Sequence, residues 1–500
     1  MVSLLKQQFL LGVDLGTSSV KAVILNLDGD VKHEVSAGLP PVIVKGLQVE
    51  ANPELWWSAL KQVLAEVFKG FKPSDILAMC VGGQGPSLVS VNKQGRPLYN
   101  SIIWMDRRAT EEADLIKKIT GDAVDPYLLE TKISWLKQHR PEVYKKTFKF
   151  LNAYEFISYR LTNRAHAGVI RSGYIPWSNI PYWSPDHLNA VHVDLEKLPE
   201  TLAVGKVIGP VTEKAASETG LSKKTLVVQG VTDFVHAILG SGTIRSGIAL
   251  DYGGTSQGFN LCWDEPLHDP QNRILITPHI IPDHWNIGGM MSTSGVILAW
   301  FKEIFGREEV EEASKTNADP YDKLCDLASR VQAGSKGLLL LPYFAGERSP
   351  IWDPNAKGVL FGLTLSHRKE HFVRAILEAT SYGLRHIKET IESAGGNVRE
   401  VRSAGGQSRS SLWCQIKADV LNVPVLQLVH ESAEPLGSAI VAGVGVGAFK
   451  DYVEAAEKAI KIRATFEPDP RNFEKYSKWF EGYKKLYASL RDLFKETANY

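Results

Sequence analysis

Two stretches of this chain, Val13-Asp14-Leu15-Gly16-Thr17-Ser18-Ser19-Val20-Lys21 and Leu250-Asp251-Tyr252-Gly253-Gly254-Thr255-Ser256-Gln257-Gly258-Phe259, repeat one order: strand, Asp, glycine, Thr-Ser, strand. The runs 9–13 and 20–27 around the first copy are apolar and β-rich, which predicts a hairpin with a small polar tip. Gly16 permits close backbone approach, Thr17, Ser18 and Ser19 offer amides and hydroxyls, and Lys21 brings a positive charge, so the tip suits an anion such as phosphate. Asp14 would repel a bare phosphate and therefore implies a bridging divalent cation. Strands flank the turn on both sides, unlike the strand-loop-helix of a Walker site, and no G-x-x-x-x-G-K-[ST] occurs there. A single such hairpin could be an ordinary polar turn. A second copy half a chain later predicts two jaws on one polyphosphate.

The chain has 500 residues, more than one core usually supports, so two domains are expected. The break is placed near 240–245, giving domains 1–243 and 244–500. A net charge of +1 gives no global attraction to nucleic acid or an anionic membrane, which points to a small-molecule partner. Cys80, Cys262, Cys325 and Cys414 are scattered, without C-x-x-C spacing, against a disulfide framework or zinc site. Lys6 and Asp14 interrupt the apolar N-terminus, which reads as a first strand, and no apolar run approaches a bilayer span. The expected compartment is the cytoplasm.

In chain order, an amphipathic helix is predicted over 53–68, with Asn52 as its N-cap and Pro53 at its first position. A buried strand over 76–81 ends in Gly82-Gly83-Gln84-Gly85-Pro86, and alternation of this kind predicts an α/β layer architecture, with ligands at strand C-termini. Ile102-Ile103-Trp104-Met105-Asp106-Arg107-Arg108 reads as a strand turning directly into a helix over 107–119. There Trp104 and Asp106 are either a core Trp with a capping Asp or substrate contacts. The aromatic, Pro-rich stretch 125–194 reads as an insertion. Gly230-Val231-Thr232-Asp233 joins a strand over 225–229 to a helix over 233–239, where Asp233 is a helix cap or points into the same site as Asp14.

In the second half, Ser294-Gly295 precedes a helix over 296–305, and 307–317 reads as a solvated loop. An extended segment over 356–365 leads to a long helix over 369–393. A strand over 398–403 runs into Ala404-Gly405-Gly406-Gln407-Ser408-Arg409-Ser410, whose glycines could let a flat ring or a phosphate lie against backbone. The stretch 434–447 predicts a small-residue helix, and the charged tail an exposed helical end.

These motifs resemble the FGGY family of carbohydrate kinases, within the actin, hexokinase and Hsp70 fold superfamily, over nearly the whole chain. The most specific element is Gly358-Val-Leu-Phe-Gly362-Leu363, then seven residues, then His371-Phe372-Val-Arg-Ala375-Ile376-Leu377-Glu378. A first signature over 127–139, through Lys132, Ile133, Trp135 and Leu136, departs from the family at Leu129. The resemblance implies two ribonuclease-H-like α/β domains flanking a nucleotide-binding cleft. It implies Mg-ATP as cofactor, with Gly16, Thr17, Ser18 and Lys21 as the first phosphate loop and Gly254, Thr255 and Ser256 as the second. Gly295, Gly405, Gly406 and Ser410 would line the adenosine and ribose pocket. Asp14 would be associated with Mg2+, and Asp233 would be the catalytic base, touching both the metal and the sugar.

The sequence looks closest to the pentulose branch, which implies a ketopentose such as xylulose as acceptor. Yet Gly85, Pro86 and Phe234 stand where relatives carry polar or bulky substrate readers, leaving Gln84, Trp104 and Asp106 as contacts and other ketoses, polyols and sugar acids open. His236 could reach the cleft, although a single His one turn into a helix is more often merely packed there. A non-catalytic ATP-driven clamp of the actin or Hsp70 type is the alternative of a different class. A homodimer stays open, since interface patches do not announce themselves in one chain.

Overall fold

The structure is a computed structural model that describes residues 8–122, 124–170 and 184–499. Lys6, and residues 171–183 of the expected insertion, lie outside the described residues. The chain forms two compact units: Met1–Gly242 with Pro278–Ile281 and Ser432–Ile460, and Thr243–Thr277 with Pro282–Glu431 and Lys461–Tyr500.

The first unit is built on a six-stranded sheet ordered Val207–Pro210, Leu226–Val228, Ile76–Gly83, Phe9–Leu15, Ser19–Asn26, Val31–Gly38. Leu226–Val228, Ile76–Gly83 and Phe9–Leu15 run parallel, and Phe9–Leu15 turns back antiparallel onto Ser19–Asn26, with Asp14 opposite Lys21. Phe9–Leu15 is buried along its whole length, as a parallel strand covered on both faces must be. Val31–Gly38 alternates between half-buried and exposed positions, as befits an edge with one face in water. Helix Pro53–Val67 lays Trp56, Leu60, Val63 and Val67 into the core, its N-terminus capped by Asn52, which accepts the Glu54 N–H at 3.0 Å.

Small residues set the packing of helices Asp233–Gly240 and Ala433–Gly445 in this unit. A Cβ on Gly12 would stand 1.9 Å from the Pro435 carbonyl oxygen, one on Gly240 1.8 Å from that of Ala433, and one on Gly437 1.9 Å from that of His236. Backbone therefore meets backbone at all three points. This corrects the simple division at residue 243: Ser432–Ile460 folds with the first unit, because its small-residue helix fits where strand Phe9–Leu15 and helix Asp233–Gly240 also lack side chains.

The second unit repeats the plan in a seven-stranded sheet ordered Leu275–Pro278, Trp285–Met291, Gln257–Trp263, Ile248–Gly253, Glu400–Ala404, Val425–Leu428, Ile462–Phe466. Ile248–Gly253 hairpins onto Gln257–Trp263 and runs parallel to Glu400–Ala404, which is parallel to Val425–Leu428. The chain thus has the two-domain α/β architecture of the ribonuclease-H-like, actin-type class. Among the described residues no helix is long and apolar enough to cross a membrane.

Several local expectations change. The charged stretch 307–317 is a helix, Arg307–Thr316, braced by an Arg307–Glu311 pair at 2.8 Å and ended by Asn317 at φ +53, because Ala313 gives it a buried contact. The extended segment 356–365 holds only the short strand Val359–Phe361, paired with Leu339–Leu341. The C-terminal helix Pro470–Glu496 is not merely an exposed end, since Tyr476, Phe480 and Tyr483 are buried in the second unit's core. The strand at 102 does not turn directly into a helix: strand Ser101–Ile102 and helix Thr110–Thr120 are separated by an irregular turn.

Replacing Gly12 by Ala should lower stability by about 1–3 kcal/mol through overpacking. Gly38→Ala, where no atom lies within 4 Å of the added Cβ, should not. Urea midpoints of the two variants check this.

Candidate active site

Three parallel strands of the first unit end together. Phe9–Leu15 delivers Asp14 and Gly16, Ile76–Gly83 delivers Gln84, and the chain after Leu226–Val228 pairs Thr232 with Gly83 just before Asp233. Strand C-termini leave room for a ligand because the next segments diverge. At the first hairpin tip the Gly16 N–H donates to the Ser19 carbonyl at 3.0 Å, while among the described residues the N–H groups of Thr17 and Ser18 meet no acceptor. Those amides are available to an anion.

Asp233 is the first residue of its helix, with Thr232 as the cap, and its Oδ1 accepts the Phe234 N–H at 2.7 Å. Burial, opposed by that hydrogen bond and reinforced by Glu434, pushes its carboxyl up to about 6. Asp14 is 3 % exposed, and its Oδ1 is buried without a hydrogen-bond partner among the described residues. Burial holds its carboxyl well above the ordinary carboxylate range, with Glu434 and Asp233 adding to the rise and Lys21 opposing it. Three carboxylates therefore bear on one another here. Glu434 is the functional candidate that sequence reading missed. Its only signal was a Glu opening a helix of small residues.

The substrate candidates are tied to the hairpin tip. The Gln84 side chain donates to the Gly16 carbonyl at 3.1 Å, and the Trp104 indole N–H donates to Thr17 Oγ1 at 3.0 Å. Asp106 is different: both its oxygens are taken by its own chain, from the Val49 N–H at 2.5 Å, the Arg108 N–H at 3.0 Å and the Arg108 guanidinium at 2.7–3.0 Å. It caps no helix and organises the turn that carries Trp104. His236 is fully buried, its Nδ1 2.8 Å from Ser438 Oγ beneath Gly82, and burial lowers its imidazole to about 3, so it stays neutral packing.

In the second unit the Gly254 N–H donates to the Ser256 carbonyl at 2.9 Å, a turn one residue tighter than the Gly16–Ser19 turn of the first tip. The amides of Ser294 and Gly295 donate to the carbonyls of Thr255 and Gly254, both at 3.0 Å, and a Cβ on Gly295 would stand 2.4 Å from the Gly254 oxygen. Gly405, at φ +80, lies equally close to Gly253; a Cβ on Gly406 would meet nothing within 4 Å. Ser410 caps helix Ser411–Leu421 by accepting the Trp413 N–H at 3.2 Å.

Family models for the N-terminal and C-terminal domains of the FGGY family of carbohydrate kinases match residues 9–240 and 252–446. The chain belongs to the FGGY family of carbohydrate kinases. It is 30% identical to a xylulose kinase of Bacillus subtilis over 97% of this chain and 98% of that protein. It is also 30% identical to a gluconokinase of the same organism over 98% of each. The crystal structure of gluconate kinase from Lactobacillus acidophilus superposes with a TM-score of 0.84 at 25% identity, covering 98% of this chain and 99% of that one. The ligand-bound xylulose kinase from the same organism matches with the same values.

This carbohydrate kinase uses its two hairpin aspartates differently. Asp251, at the position matching Asp14, takes Lys417 Nζ at 2.6 Å, Gln257 Nε2 at 2.6 Å and Ser403 Oγ at 2.8 Å. The network continues from Gln257 through Ser294 to Gln407, at 2.6 and 2.8 Å, and so fixes the second tip from behind. Nothing in the repeat itself signals Lys417, which lies mid-helix. Lys417→Met should destabilise the second unit by about 3–5 kcal/mol by stranding a buried carboxylate. The double variant with Asp251→Asn should recover much of the loss in chemical denaturation.

Proposed function

We propose that this kinase transfers the γ-phosphoryl of ATP to a terminal hydroxyl of a ketopentose such as xylulose, with Asp233 as the base. The observation that carries the reading is the half-buried Asp233 carboxylate at the strand ends, one position after the Gly83–Thr232 bridge and near enough to Asp14 to raise that carboxyl. In phosphoryl transfer the acceptor hydroxyl must lose its proton as its oxygen bonds phosphorus and the bond to the ADP oxygen breaks. Asp233 takes that proton. The free amides of Thr17 and Ser18 and the Lys21 ammonium supply donors and charge for phosphate oxygens.

The residues present fit a divalent cation: Asp14 has a buried oxygen that meets no donor among the described residues, whereas Asp251 is saturated. Asp14 would hold Mg2+, which when bound neutralises charge on the phosphates. Asp233 keeps its role as proton acceptor.

For the acceptor, the cations around Gln84 and Trp104 are committed. Lys132 donates to the carbonyls of Pro86 at 2.8 Å and Ile103 at 3.0 Å, Arg108 pairs with Asp106 at 2.7 Å and Glu50 at 2.9 Å, and Arg107 donates to the Trp104 carbonyl at 2.8 Å. A neutral sugar suits that wall better than a carboxylate, which favours the ketopentose. A sugar acid is the second reading, supported by the equal similarity to the gluconokinase.

An ADP-release assay with xylulose, other ketoses, alditols and gluconate should show the highest kcat/KM with a ketopentose. A higher value with gluconate selects the second reading, and no carbohydrate stimulation at all would defeat both. Asp233→Asn should lower kcat by about 10²- to 10⁴-fold. A protonated carboxyl accepts no proton, so kcat/KM of the unaltered enzyme should fall as pH drops through about 6, and Asp233→Asn should lack that limb.

A further inference from the structure

Glu434 lies in the first turn of helix Ala433–Gly445 and is 7 % exposed. Its two neighbours in sequence are pinned by backbone contact, Ala433 against Gly240 and Pro435 against Gly12. Gly12 and Asp14 are two residues apart on one strand and so face the same side of the sheet, the side this helix covers. The first turn of the helix is thereby held near Asp14, and Glu434 acts electrostatically on both Asp14 and Asp233. A second observation points to what the carboxylates await: Asp14 Oδ1 is buried and has no hydrogen-bond partner among the described residues.

Buried like charges repel strongly unless a cation lies among them. Lys21 stands opposite Asp14 across the hairpin. Among the described residues no three His, Cys, Asp or Glu side chains form a closed metal site. Mg2+ commonly keeps several waters and takes only one or two protein carboxylates.

We propose that Glu434 joins Asp14 in holding the divalent cation, as a two-carboxylate site carried wholly by the first unit. This rests on the kinase mechanism above and adds to it a residue on a helix distant in sequence from both hairpins. Asp14 supplies an open oxygen from the strand end, and Glu434 supplies the second carboxylate, directly or through a metal-bound water. The backbone contacts at Gly12 and Gly240 fix the separation of the two.

Binding of Mn2+ to the full-length enzyme without nucleotide, followed by electron paramagnetic resonance, tests this. The unaltered enzyme should bind one Mn2+. Glu434→Gln should weaken binding by about 10- to 100-fold, Glu434→Asp by less, and Asp14→Asn at least as much as Glu434→Gln. The rise in melting temperature on adding Mn2+ should shrink in Glu434→Gln, which separates lost metal binding from a damaged fold. Mn2+ affinity within twofold of the unaltered enzyme in Glu434→Gln, or no bound Mn2+ in the unaltered enzyme, overturns the proposal. Sugar turnover in the ADP-release assay is read separately, so Glu434 can fail here while the kinase mechanism stands.

Discussion

The contact on which the first unit depends is backbone against backbone. At Gly12, Gly240 and Gly437 the strand Phe9–Leu15 and the helices Asp233–Gly240 and Ala433–Gly445 approach so closely that a single Cβ would overlap a carbonyl oxygen. Interiors are packed too tightly to absorb such an overlap without movement elsewhere. This packing carries three acidic residues from distant parts of the chain, Asp14, Asp233 and Glu434, into mutual influence. Their chemistry follows from the burial and repulsion that result.

The two Thr-Ser hairpins show how one local pattern serves two purposes. Each tip is closed by a short-range backbone hydrogen bond from a glycine, Gly16 to Ser19 in the first and Gly254 to Ser256, one residue tighter, in the second. Behind the second tip, Lys417 and Ser403 neutralise and satisfy Asp251, and the network through Gln257, Ser294 and Gln407 stiffens the loop. Behind the first, Asp14 keeps one oxygen unsatisfied among other carboxylates. A satisfied carboxylate stabilises a fold; an unsatisfied one is a standing demand for a cation or a proton.

Around the substrate candidates, structure and function share residues. Asp106 serves the turn rather than a ligand, spending both oxygens on Val49 and Arg108, while Trp104, on the same turn, is anchored to Thr17 of the hairpin tip. Gln84 is tied to Gly16 of that tip. Movement of the tip would therefore be felt by both side chains.

Much of this was legible in the chain itself. The repeat named both hairpins, and periodicity gave the long helix Lys369–Ser393 and the capped helix Pro53–Val67, because strand and helix spacings are local properties of a sequence. The helix Arg307–Thr316 was obscured because its charged residues carry little apolar pattern and its anchors, the buried Ala313 and the Lys369 ammonium on Glu308 and Glu309, are tertiary. By itself the sequence determined the pair of polar tips, the Asp at each and the alternation of strands and helices. Only the tertiary structure decided that Ser432–Ile460 belongs with the first unit, that Lys417 quiets Asp251, and that Glu434 bears on Asp14. The reason is that charge interactions and close packing depend on distance in space, which chain separation does not encode.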